Sequence, residues 1–111
     1  MAGLNNKGTS NSTTDVTVVA APGASTSRLI PKGGITVYNN DTVAATVTLQ
    51  FHVTTPTDTI LEQAIISPGK TYINSMPIVL DATDESLEIY LSAAVTTNQL
   101  DWFTHYRDEA Q

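Results

Sequence analysis

Between Val43 and Val53 two sets of side chains alternate. Val43, Ala45, Val47, Leu49, Phe51 and Val53 form one, and Ala44, Thr46, Thr48, Gln50 and His52 form the other. A strand sends successive side chains to opposite faces, so this period of two demands a sheet with one buried face and one wetter face. The cadence returns along the chain between polar turns, and no stretch requires a long helix.

The same reading can be carried from end to end. Beyond Met1 and Ala2, residues 3–14 are Gly, Asn, Ser and Thr apart from Lys7 and the single apolar Leu4, a composition that buries too little to order itself. Residues 1–14 are expected to form a flexible arm ahead of a domain over 15–111. Strands are expected over Val16–Ala21, Arg28–Ile30, Ile35–Asn39 and Val43–Val53, with Pro22-Gly23 and Gly33-Gly34 as turns. Asn39-Asn40-Asp41 reads as a hairpin turn, because Asn and Asp tolerate positive φ and bond back to their own backbone. Thr54–Thr59, with Pro56, reads as a loop. Ile60–Ile66 fits a strand or a helical turn, and a strand is preferred. Thr71–Leu80 is extended but interrupted by Pro77, which belongs where no ladder bond is needed. Leu87–Ala94 and Leu100–Arg107 complete the set, with Thr96–Asn98 turning between them. About eight short strands at this spacing predict an all-β, antiparallel β-sandwich, with jelly-roll connections as one way to wire it. Val47, Leu49, Phe51, Leu87, Ile89 and Leu91 are the expected core.

Composition narrows the function. A chain of 111 residues makes one domain. It contains no Cys, so neither disulfides nor thiolate metal sites hold it. No basic segment followed by an apolar run opens the chain, and no stretch reaches the ~20 apolar residues of a membrane span, so a soluble protein without a signal peptide is expected. A net charge of −6 argues against nucleic acid as the main partner. The charge is uneven: Lys7, Arg28 and Lys32 against Asp15 leave residues 1–34 at +2, and Lys70 and Arg107 against ten acids leave the remainder at −8.

No catalytic set emerges. Gly69-Lys70-Thr71 ends like a phosphate-binding loop, but Ala64 stands where the motif needs its first Gly and the following residues look extended. His52 and His105 lack a visible third metal ligand, and Zn sites usually take at least three from the protein. Asp81, Asp84 and Glu85 fall short of the six or more oxygens that calcium takes and read as a solvated turn. One Trp is little with which to build a sugar platform, and no Gly-x-Ser-x-Gly elbow activates a serine. The expectation is a non-enzyme with no metal and no cofactor. Trp102, Phe103 and Tyr106 cannot share a face of one strand. Either Trp102 and Tyr106 pack inward and Phe103 meets a partner, or the reverse.

Residues 30–107 resemble a family of small β-sandwich virion proteins from the structural modules of tailed bacteriophages. The likeness lies in Gly34-Ile35-Thr36-Val37-Tyr38-Asn39-Asn40-Asp41-Thr42, in Ile66-Ser67-Pro68-Gly69-Lys70-Thr71, in Pro77-Ile78-Val79-Leu80-Asp81-Ala82 and in Ser86-Leu87-Glu88-Ile89-Tyr90-Leu91-Ser92-Ala93. The resemblance implies a structural role without catalytic residues: a head decoration or cement protein, bound as a homo-oligomer to the major capsid protein or other virion proteins, at the particle surface after assembly in the host cytoplasm. A neck or tail component is the alternative within the family, and a carbohydrate- or receptor-binding sandwich the alternative outside it. Lys7, Arg28, Lys32 and Phe103 are the interface residues to expect, the three cations meeting acids of another copy or of the shell.

Overall fold

The computed structural model describes residues 3–54, 58–95 and 99–111. The Pro56 loop tip and the Thr96–Asn98 turn lie outside the described residues. Among the described residues there are ten strands and no helix. They are β1 (Gly3–Ser10), β2 (Val16–Val19), β3 (Thr26–Ile30), β4 (Ile35–Tyr38), β5 (Ala45–His52), β6 (Thr59–Ile66), β7 (Thr71–Ile73), β8 (Ile78–Leu80), β9 (Ser86–Leu91) and β10 (Leu100–Ala110). Every pairing is antiparallel.

The ten strands make eight rows. Arg107 pairs with both Gly3 and Leu29, and Trp102 with both Gly8 and Val37. A strand has two edges, so β1 occupies one edge of β10 while β3 and β4 lie end to end along the other. By the same reasoning β8 and β7 lie end to end outside β3 and β4, since Leu29 also pairs with Val79 and Val37 with Tyr72. The front sheet is therefore four rows wide: β1, β10, β3/β4, β8/β7. The back sheet runs β2, β9, β5, β6. Successive rows alternate between the two sheets except at the β5–β6 hairpin, which is jelly-roll wiring. The two broken rows have a common cause. Pro31–Gly34 and Asn74–Pro77 leave the ladder together, and Asn74 spans both breaks. Its side chain accepts from the Ile35 amide at 2.9 Å and donates to the Pro31 and Met76 carbonyls at 3.0 and 2.8 Å.

The expected hairpin at Asn39–Asp41 is a different device. It carries the chain from β4 in the front sheet to β5 in the back sheet. Asn39 is buried there, donating to the Val43 and Ile66 carbonyls and accepting from the Asp41 amide at 2.9 Å. The side chain that suggested a turn thus supplies the buried hydrogen bonds of a crossover.

The core lies between the sheets. Val47, Leu49, Leu87, Ile89 and Leu91 from the back sheet meet Ile35, Val37, Leu80 and Leu100 from the front, all fully or almost fully buried. Phe51, expected among them, is only half-buried. It sits near the end of β5, after the register shift that separates Leu49 from Gln50, where the two sheets no longer cover it fully. Trp102 and Tyr106 face inward and Phe103 outward, which settles the aromatic alternative.

Gly3–Ser10 departs from the expected arm. It pairs residue by residue with Arg107–Leu100 of β10. Main-chain hydrogen bonds to an existing strand need no apolar pattern, which is why composition hid this strand. One position is nevertheless specified. A Cβ on Gly8 would lie 2.6 Å from Cζ2 of Trp102, so the indole occupies the space a side chain would take. Beyond β1, the Asn11 and Ser12 carbonyls accept from the Val95 and Leu91 amides.

Candidate functional site

Two regions gather chemistry. The first is the outer face of the front sheet. Because Trp102, Thr104 and Tyr106 point inward, alternation turns Asp101, Phe103, His105 and Arg107 outward. Register sets Lys7 and Thr36 on either side of Phe103, with Ile73 beyond Thr36 and Tyr38 beside Asp101. Phe103 is 43% exposed, and Tyr38 and Ile73 are as open. Lys7, Thr36, Tyr38, Asp101 and Phe103 line one cleft, and Leu29, Val79, His105 and Arg107 line another on the same face. An exposed aromatic flanked by aliphatic and cationic side chains is the composition of an interface anchor.

Of the expected interface cations, Lys7 lies on this face and Lys32 is exposed in the turn between β3 and β4. Arg28 is engaged within the chain. Its guanidinium forms a two-pronged pair with Asp108 at 2.8 and 3.0 Å, donates to the Ala20 carbonyl at 2.8 Å and stacks 4.8 Å above the Tyr106 ring. The hydrogen bonds between them raise the Arg28 pKa and hold the Asp108 carboxyl below its ordinary value. A planar donor fork suits such internal bracing, and little of it remains for a partner.

The second region is at the rim of the back sheet. His52 and His105 lie on different sheets and cannot share an ion. His52 instead meets Asp58, just before β6, with Nδ1 at 2.6 Å from the carboxylate, and Glu88 of β9 at 3.7 Å. Gln50, itself buried, donates to Glu88 at 2.8 Å and fixes that carboxylate. The Asp58 hydrogen bond, aided by the charges of Glu88 and Asp15, raises the His52 pKa above 6.5. Glu88 is 36 residues from His52 and reaches it only because β9 pairs with β5, so spacing alone could not reveal the cluster. The signal present was the pairing of alternating strands, each with a polar outer face.

Elsewhere on the rim, Glu62 turns inward at the edge strand β6 and accepts from Tyr72 Oη at 3.0 Å, the Ser75 amide at 2.9 Å and Ser75 Oγ at 2.6 Å. Desolvation pushes its pKa up, but these bonds outweigh it and the net shift is down. Burial and the bond to Glu62 push the Tyr72 hydroxyl up. The link ties the two sheets together. Gly69 sits at φ 77° in a turn followed by β7, which removes the phosphate-loop reading. Within the acidic turn, Glu85 accepts from the Asp81 and Ala82 amides at 2.8 and 3.1 Å, closing the loop on itself.

No family model matches the chain and no curated protein matches it in sequence. Among solved structures it is similar to a chain of the disulfide-linked pili that form Bacillus endospore appendages. The TM-score is 0.48, the identity 16%, and the match covers 95% of this chain and 84% of that one. It is also similar to a chain of the infectious bursal disease virus Gx strain, with TM-score 0.38 and 14% identity, over 96% of this chain and 30% of that one. The chain thus spans under a third of the length of the viral chain. Likenesses of this strength say nothing about function.

Proposed function

We propose that this chain is a non-enzymatic structural protein of a tailed-phage virion, a decoration or cement protein that docks on the outer head surface as a homo-oligomer. The observation that carries this reading is the outward placement of Phe103 near Tyr38, Ile73 and Lys7 on the outer face of the front sheet. The front sheet offers a rigid platform, and rigid docking surfaces lose little ordering entropy on binding. Repetition around a lattice then multiplies a modest contact into firm attachment. The family resemblance of residues 30–107 supports the same role.

Copy number in purified particles tests the location. Hundreds of copies support head decoration, six or twelve move the protein to the neck, and absence removes the virion reading. Phe103→Ser tests the surface. Loss of a central aromatic anchor costs ~2 kcal/mol or more in binding, so particle occupancy falls more than about tenfold at limiting protein while the melting temperature is unchanged. Unchanged occupancy would place the contact on another face.

A further inference from the structure

We propose that His52, Asp58 and Glu88 form a binding site for a single divalent transition-metal ion of the zinc type. The three side chains bring one imidazole nitrogen and two carboxylate oxygens within 4.8 Å of one another. Donors that each lie ~2.0–2.2 Å from a tetrahedral ion are ~3.3–3.6 Å apart. His52 Nδ1 already stands 3.7 Å from Glu88, and Asp58, now hydrogen-bonded to it at 2.6 Å, has to open by about an ångström to admit the ion. Two carboxylates balance the charge of a divalent ion, and the imidazole selects a borderline metal over calcium, which takes six or more oxygens.

The framework holds two of the three donors in place. His52 and Glu88 are diagonal neighbours on paired strands, His52 opposite Ser86 and Glu88 opposite Gln50. The buried Gln50 amide, beside Glu88 on the same face, donates to its carboxylate and orients it, the kind of outer support that ligating carboxylates use. Asp58 is the exposed member, and it joins from the chain entering β6. An ion there pins the start of β6 to β9 across β5. His52 is part-exposed, so water or a donor from another protein completes the coordination. Nδ1 carries a proton when the imidazole is charged, so metal and proton compete and binding strengthens as pH rises. Asp15 adds a further negative charge nearby.

Calorimetric titration of the full chain with zinc chloride above neutral pH tests the site. One ion per chain is expected, with affinity reduced on the order of tenfold or more in His52→Ala and in Glu88→Gln and unchanged in His105→Ala. Circular dichroism checks that each variant keeps the fold. Perturbation of the His52 ring resonances by zinc, with those of His105 unmoved, locates the ion independently. Absence of binding heat, or binding that survives His52→Ala, overturns the proposal.

Discussion

Strands β5 and β1 both sit in antiparallel sheets, yet they become strands for opposite reasons. β5 has β9 on one edge and β6 on the other, and its inward residues Ala45, Val47 and Leu49 are buried. Its own alternation dictates both its conformation and its face. β1 is an edge strand with β10 as its only sheet neighbour among the described residues, and it has only Leu4 to offer an apolar surface. Its conformation is copied from β10 through main-chain hydrogen bonds. A pattern specifies a strand that builds the core, whereas a template specifies a strand added to it.

If that distinction is right, substitutions in the two strands should fail in different ways. Leu49→Ala removes a fully buried side chain from the middle of β5 and should cost ~2–5 kcal/mol, read from chemical denaturation as one cooperative loss. A cost near zero would show that β5 does not organise the core. Gly8→Val forces a side chain into the space of the Trp102 ring and should cost ~1–3 kcal/mol by overpacking. Trp102 is the sole tryptophan, so detachment of β1 should appear as a red shift in its fluorescence while the remaining sheet signal persists. Retained blue emission and stability would mean that β1 is not seated as described.

A smaller effect concerns the template strand itself. Asp108 near the end of β10 is held by Arg28, and its folded pKa lies below its ordinary value of 3.8. A depressed carboxylate contributes stability above that value and loses it as pH falls through the lower folded value. Asp108→Asn should therefore cost ~1 kcal/mol near neutral pH and little in strong acid, where both proteins carry an uncharged group. An equal loss at both extremes would point to packing instead. The smallest effect is at the far end of β5. Asp58→Asn should lower the NMR titration midpoint of His52 towards 6.5, because the hydrogen bond that raises it weakens. With a raised folded value, the interaction stabilises below the unfolded pKa and fades as pH rises through the folded one. An unmoved midpoint would assign the shift to Glu88.

The same contrast explains what was legible in the chain. Strands with an alternating apolar set, such as Ala45–His52 and Ser86–Leu91, could be read directly, and Ile60–Ile66 is a strand as preferred. The all-β sandwich followed from them. The strand at Gly3–Ser10 could not be read, because backbone pairing leaves no trace in side-chain polarity. Nor could the breaks at Pro31–Gly34 and Asn74–Pro77 be joined into single rows, since Asn74 connects segments some forty residues apart. The outward Phe103 was one of two alternatives until burial of Trp102 and Tyr106 decided it. The pairing of Arg28 with Asp108 could not be read either, because the two lie eighty residues apart in the chain. The His52 cluster stayed hidden for the same reason, as its members meet only through strand register.

All five basic residues of the chain belong to the front sheet or to segments adjoining its strands: Lys7, Arg28, Lys32, Lys70 and Arg107. The four strands of the back sheet contain none, while Glu62 and Glu88 lie on them and Asp15 and Asp58 just beside them. The front sheet also carries Asp101, Asp108 and Glu109, the last two paired with Arg28 and Arg107. Its charges nearly cancel while the back sheet stays negative, so the sandwich is an electric dipole as well as a net anion. Near a negatively charged surface it experiences a torque that turns its front sheet forward before any atoms touch. Phe103 and Lys7 then face that surface, and encounters in the opposite orientation are fewer than shape alone would allow.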